Sequence, residues 1–387
     1  MNTQKTYSLG PFAVLTFIYF IVGFLTTVNG QFQGPLKVAF LSEAEGLRNT
    51  LTTLISFFFF LGYLVNSSLG GKWINAHGYK PTLLRALGVM IGGLLMYAMA
   101  SLFITLFPEP VQRVNIVCAI NSLGTTIAPF FVTGVIFSGV SLEQVTAQQL
   151  LVPFLLIALS IVLTTAVTLR LSLPDLEGTR TDAGKSQGRS IWSFRHLTFG
   201  VIAIFFYVGT EVSIGVNVNL HAMEQIESGM GLSFFGKEHL VLWGLDFGIP
   251  ALLATLYWGG LMVGRMVFSF FNNISSRVLL ASTTSIAALL IIVAMLTNNL
   301  WILISAGLCH SVMWGCIFTL AVKGLGEYTS KASGIFMMGV FGGAVFPLLQ
   351  GLMADACGSW QWTWSMALVC ELVMLAYALW GSKVKID

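Results

Sequence analysis

Residues 197–220, LTFGVIAIFFYVGTEVSIGVNVNL, form an unbroken apolar-rich stretch with one charged side chain, Glu211, near its middle. About 20 consecutive apolar residues suffice to cross a bilayer as a helix. A carboxylate at that depth is costly, so Glu211 must face a cavity or a partner rather than lipid. Two readings follow: the acid lines a route for a substrate or a proton, or it pairs with a basic residue on a neighbouring helix. Most of the other apolar stretches are expected to enclose the same cavity.

Those stretches recur along the chain. Only 9% of the 387 residues are charged, while 56% are hydrophobic. Soluble domains carry about 25% charged residues, so a polytopic membrane protein is predicted. The net charge of +3 is spread along the loops. No basic cluster interleaved with aromatics points to nucleic acid. Cys118, Cys309, Cys316, Cys357 and Cys370 lie in apolar context without metal-ligand spacing. They read as small buried hydrophobes, and no metal or cofactor is expected. The apolar N-terminal stretch has no small-residue cleavage site after it and reads as a retained first helix.

Taken in order, spans are predicted at about 11–32, 51–69, 83–107, 115–137 and 150–169. Six more follow at about 197–220, 251–271, 278–297, 301–322, 333–353 and 362–380, with a hydrophilic loop over 222–249. The first span ends in a polar patch in which Asn29 and Gln33, four apart, share a face. Such amides need a ligand, water or another helix as partner. Residues 115–137 carry Asn115, Asn121, Thr125 and Thr126 around Pro129, a pattern of cavity-lining transporter helices. The 150–169 span is nearly pure hydrocarbon and reads as lipid-facing. His310 and Trp314 share a helical face, and a histidine at membrane depth can relay protons or bond a hydroxyl. Glu371 lies in the last span, where nothing local identifies its partner.

Residues 174–195 are polar, with Arg180, Lys185, Arg189 and Arg195, and read as a linker between two halves. Gly178 and Gly184-Lys185-Ser186 fall short of a phosphate loop: five residues intervene where four are needed, and no strand leads in. Short cytoplasmic loops are rich in Lys and Arg. That places the Lys72–Arg85 loop, the linker and the Lys383–Lys385 tail on one side. Two points on one side are separated by an even number of crossings, yet three spans lie between the first loop and the linker. A six-plus-six arrangement lacking one helix near residues 107–112 is the simplest account. The seven residues from Phe107 to Arg113 reach only about 25 Å when extended, short of the roughly 30 Å hydrocarbon core.

Several stretches together resemble the fucose–galactose–glucose:proton symporter family of the major facilitator superfamily. They are FLTTVNGQFQGPLK, RVNIVCAINSLGTTIAP, FFYVGTEVSIG, YWGGLMVGR, IFTLAVKGLGEYTSKASGI and FGGAVFPLLQGLMAD. The likeness runs over nearly the whole chain, strongest toward bacterial glucose/galactose transporters. The loop Gly71–Lys80 is similar to the superfamily's loop between helices two and three, with Asn75 in place of the usual aspartate. The resemblance implies an all-α membrane protein with the major facilitator fold. Two helical domains, 1–173 and 196–387, would flank the linker, with eleven visible spans (five plus six) and the fourth of the usual twelve missing. It implies a central sugar site and alternating access in the cell inner membrane, with a proton or sodium ion coupled and a monomeric chain.

Three departures bear on coupling. Gly30 stands where many members have an acid, Cys118 where relatives often have glutamine, and the family's fourth helix has no counterpart. The expected sugar contacts are Asn29, Gln33, Asn121, Glu211, Trp258, His310 and Trp314, with Glu211 also the proton-coupling candidate. Two other classes stand beside this one: a membrane sensor or non-transporting remnant, and a membrane enzyme. No HExxH, GxSxG or paired-acid motif supports the enzyme.

Overall fold

A computed structural model describes residues 47–77, 190–237, 239–242, 245–268 and 274–384, together with Phe17, Phe20, Val22–Phe24, Thr26, Thr27 and Gln33 of the first helix. The predicted spans at 83–107, 115–137 and 150–169 lie outside these residues, as do Asn29 and Asn121. The described elements are α1 (Arg48–His77), α2 (Arg195–Glu227), β1 (His239–Leu242), β2 (Leu245–Gly248), α3 (Ile249–Phe268), α4 (Ser276–Thr297), α5 (Leu300–Ala321), α6 (Thr329–Met338), α7 (Gly342–Cys357) and α8 (Ser365–Ala376). A 3-10 turn, Gly339–Phe341, joins α6 to α7. Among the described residues six helical stretches are long and apolar enough to cross a membrane: Arg195–Glu227, Ile249–Phe268, Ser276–Thr297, Leu300–Ala321, Lys331–Cys357 and Gln361–Gly381. They match the six spans predicted for the second half. The protein is a multi-pass, helical membrane protein.

Two expectations need correction. The 222–249 segment is not loop throughout: α2 runs on to Glu227, and β1 and β2 pair antiparallel, with His239 opposite Gly248 and Leu242 opposite Leu245. Alternation was hidden there by short strands of four residues. The cysteines are not uniformly buried. Cys316 and Cys370 are buried, but Cys309 is half-buried and Cys357 is exposed at the C-terminal end of α7.

Every residue from Tyr207 to Met223 is buried. A helix buried on all faces must be surrounded, and α2 is: it packs against α3, α5, α7 and α8. By contrast α4 exposes Val278, Ile286, Leu289, Val293 and Leu296, a single apolar stripe. That stripe is suited to lipid, and α4 sits at the periphery against α5 and α8.

Local chemistry sets the α4–α5 turn. Asn298 adopts the left-handed conformation at the end of α4 (φ 51°, ψ 35°). Such positions favour glycine or asparagine. Asn299 caps α5, its Oδ1 accepting from the backbone N–H of Trp301 at 2.9 Å and of Ile302 at 3.4 Å. Two adjacent asparagines thus end one helix and start the next, and force the pair antiparallel.

The first half meets the second along α1 and α7, which pack closely. Gly343, Pro347, Gly351 and Asp355 recur every four residues and line one face of α7. The Phe60 ring lies over Gly343, and the Thr53 side chain and the Asn49 carbonyl lie over Gly351. At the end of this seam Asp355 caps α1: its Oδ1 accepts from Asn49 N at 3.1 Å, and its Oδ2 from Thr50 N at 2.9 Å and Thr50 Oγ1 at 2.6 Å. A carboxylate there satisfies free N–H groups and complements the positive end of the helix dipole.

Candidate functional site

On α2, Tyr207, Glu211 and Gly215 are spaced by four and share a face. On α3, Trp258 and Arg265 are seven apart and share another. The two faces meet. The Arg265 Nη2 lies 3.4 Å from Glu211 Oε1, and the Trp258 indole lies directly on Gly215, where a Cβ would collide with the ring. Glycine is needed at 215 for that close approach. Arg265 Nε also donates to the Ser311 carbonyl at 3.1 Å.

Glu211 therefore pairs with a basic residue on a neighbouring helix, one of the two readings open from sequence. It is 9% exposed and Arg265 6%. The Tyr207 hydroxyl lies 2.9 Å from Glu211 Oε1 and 3.0 Å from the His310 carbonyl oxygen, and its one hydrogen serves these two acceptors. His310 is fully buried. Its Nδ1 is 2.7 Å from the Tyr257 hydroxyl and its Nε2 is 2.8 Å from Glu371 Oε1. Glu371 is fully buried too, and its Oε2 has no hydrogen-bond partner among the described residues. One polar chain thus threads α2, α3, α5 and α8.

Trp258 is 5% exposed, and its Nε1–H has no partner among the described residues. A buried, unsatisfied indole donor loses hydrogen-bond energy, which a ligand oxygen or a water could restore. Its ring stands edge-on to Tyr257, with centroids 5.3 Å apart. Trp314 lies elsewhere, stacked on Phe318 at 5.4 Å and edge-on to Phe336 at 5.8 Å within the main core cluster. Gln33 is fully buried and donates from Nε2 to Ser56 Oγ at 2.9 Å, joining the first helix to α1, while its Oε1 lacks a partner among the described residues.

The structure therefore brings together Glu211, Trp258 and His310 of the predicted set, and it sets Trp314 in aromatic packing. Sequence reasoning overlooked Arg265, Tyr207 and Tyr257. A signal existed for Arg265: it is a lone cation in an apolar span, the counterpart of the lone acid in the preceding one. Above this chain, Asn217 donates to Gln350 Oε1 at 2.9 Å and to the Pro347 carbonyl at 3.3 Å, and Gln350 donates to Thr363 Oγ1 at 3.0 Å. Among the described residues no three His, Cys, Asp or Glu side chains gather in a group able to hold a metal ion.

No family model matches the chain. A Brucella abortus protein described as a glucose/galactose transporter is 30% identical over 419 aligned positions, covering 99% of this chain and 96% of that protein. The L-fucose-proton symporter of Escherichia coli is 23% identical, covering 96% of this chain and 93% of that protein. Among solved structures, that of a single-site variant of the E. coli fucose:proton symporter FucP superposes with a TM-score of 0.66 at 19% identity, covering 97% of this chain and 99% of that one. The last likeness carries the fold, the full-length identity to the Brucella protein the family. The chain belongs to the fucose–galactose–glucose:proton symporter family of the major facilitator superfamily.

Proposed function

We propose that this protein imports a hexose of the glucose/galactose or fucose type across the cell inner membrane by alternating access, coupled to a cation. The carrying observation is the 30% identity to a glucose/galactose transporter across 99% of the chain. The buried chemistry agrees with it. An indole whose N–H has no partner among the described residues, near an ion pair, suits a sugar, which offers one apolar face and several hydroxyls. Trp258 packs on the sugar's apolar face. Glu211 accepts from a hydroxyl while Arg265 and Tyr207 hold it in place. Gln33, Asn29 and Asn121 supply amides from the first half, while Trp314 acts only through its packing on Phe318 and Phe336. Both ring nitrogens of His310 are engaged, so it acts on the sugar through Tyr257.

The proposed organisation is two domains, 1–173 and 196–387, around the 174–195 linker, in a monomer with eleven spans and no fourth helix. The alignment lends support: 419 positions exceed the chain's 387 residues by at least 32, the size of one span with its connections. The same deficit favours a second reading, a non-transporting remnant or sensor. Counterflow of labelled glucose, galactose and fucose in proteoliposomes separates the two. Exchange of any one of them above liposomes without protein supports transport, and none for all three supports the remnant.

A further inference from the structure

Glu211, Glu371, Arg265 and His310 are joined through Tyr207 and Tyr257. With a neutral imidazole, Arg265 compensates Glu211 and nothing among the described residues compensates Glu371. An uncompensated buried carboxylate is strongly unfavourable. One added proton removes the excess. We infer that the His310–Glu371 pair is the proton-carrying site of this transporter, with Tyr257 linking it to the sugar-facing Trp258. The inference rests on the symport reading above; what it adds is the place of the proton, on these two residues.

The chemistry is a proton addition with no other bond changed. The proton enters from one aqueous side and binds Glu371 Oε2, which has no competing hydrogen-bond partner among the described residues, or His310. It leaves to the other side. The pair's charge goes from minus one to zero, and the proton belongs to the pair rather than to either residue. A proton on the ring makes both ring nitrogens donors. The Tyr257 hydroxyl, 2.7 Å away, must then accept where it donated. Tyr257 is adjacent in sequence to Trp258 and in edge contact with it, so the change is felt at the proposed sugar face.

The groups facing the pair are Tyr207 and Glu211 from α2, Tyr257 and Arg265 from α3, Cys309 beside His310 on α5, and Cys370 beside Glu371 on α8. Arg265 already answers Glu211, with Nη2 3.4 Å from its Oε1. That leaves Glu371 as the group whose charge depends on a bound proton.

The test compares wild type with Glu371→Gln in proteoliposomes. Under an imposed pH gradient, Glu371→Gln should accumulate hexose about tenfold less than wild type, a typical coupling between linked sites, while still exchanging labelled sugar by counterflow. Sugar-induced alkalinisation of the outer medium should disappear. Wild-type accumulation with intact alkalinisation in the variant overturns the inference. So does equal loss of accumulation and counterflow in a variant with wild-type thermal stability, which would make the pair part of the sugar site. Should Glu371→Gln fail to fold, Glu371→Met, uncharged and of similar length, is read in the same way.

An acid-minus-alkaline infrared difference spectrum separates this inference from the transport reading. Wild type should show protonation of a carboxyl or imidazole that Glu371→Gln lacks. If that signal is present but no hexose counterflows, the transport reading fails and the proton site stands. If the signal survives unchanged in Glu371→Gln, the proton site fails.

Discussion

Glu211 and Arg265 are each the counter-charge of the other. Neutralising one strands its partner in a buried site, which costs about 3–5 kcal/mol. Glu211→Gln should therefore lower the thermal stability of the purified protein, and Glu211→Gln with Arg265→Met should recover most of that loss. Hexose uptake should be lost in both, because the acid proposed to face the sugar is absent from both. Wild-type uptake by either variant would remove Glu211 from the site. Gly215 poses a separate question. A methyl group there would displace the Trp258 indole that rests on it. Gly215→Ala should weaken hexose binding by about 0.5–1.5 kcal/mol, the scale of a lost aromatic contact, and lower stability by about 1–3 kcal/mol through overpacking. Unchanged affinity by equilibrium binding would mean that Trp258 does not contact the sugar.

At the scale of elements, the seam between α1 and α7 joins the two halves in this structure. The row Gly343, Pro347, Gly351 and Asp355 is narrow at its glycines, and the carboxylate at its end holds the N-terminus of α1. Alternating access requires such a seam to open. Asp355→Asn keeps the shape but loses the charge that complements the helix dipole. The loss of about 1–2 kcal/mol should shift the closed-to-open ratio roughly 5- to 30-fold. A cysteine placed at position 49 should then react with a thiol reagent correspondingly faster. An unchanged reaction rate would mean that the cap is not part of the moving seam. The α4–α5 turn is tied elsewhere: Asn298 accepts from Gln225 Nε2 of α2 at its carbonyl (2.9 Å) and its Oδ1 (3.1 Å), and Asn299 caps α5.

For the whole molecule, the six spans of the second half fix a sidedness. With the basic linker inside, the C-terminal end of α7 lies outside. Cys357, exposed there, should react with a membrane-impermeant maleimide on intact cells when it is the only cysteine left. Cysteines placed at positions 80 and 185 should both stay unlabelled from outside. Labelling of one of these two but not the other would show an inverted first half.

The apolar stretches, each near the length of a span, determined by themselves that this is a helical membrane protein, and where the second-half helices lie, because the length of an apolar run is a local property. The lone Glu211 marked a position that must be buried and partnered for the same reason: charge in hydrocarbon is costly wherever it sits. Partnership is different. Arg265 lies 54 positions from Glu211, and Glu371 lies 61 from His310. No periodicity relates residues so far apart. Only the packing of α2 between α3, α5, α7 and α8 brings them within hydrogen-bond reach. The tertiary structure likewise decided which aromatic is free: Trp258 and Trp314 look alike in sequence, but one sits on a glycine with its N–H unpaired among the described residues and the other is locked between phenylalanines. Side-chain roles in a bilayer follow from which helices touch, and the order of residues along one helix does not contain that information.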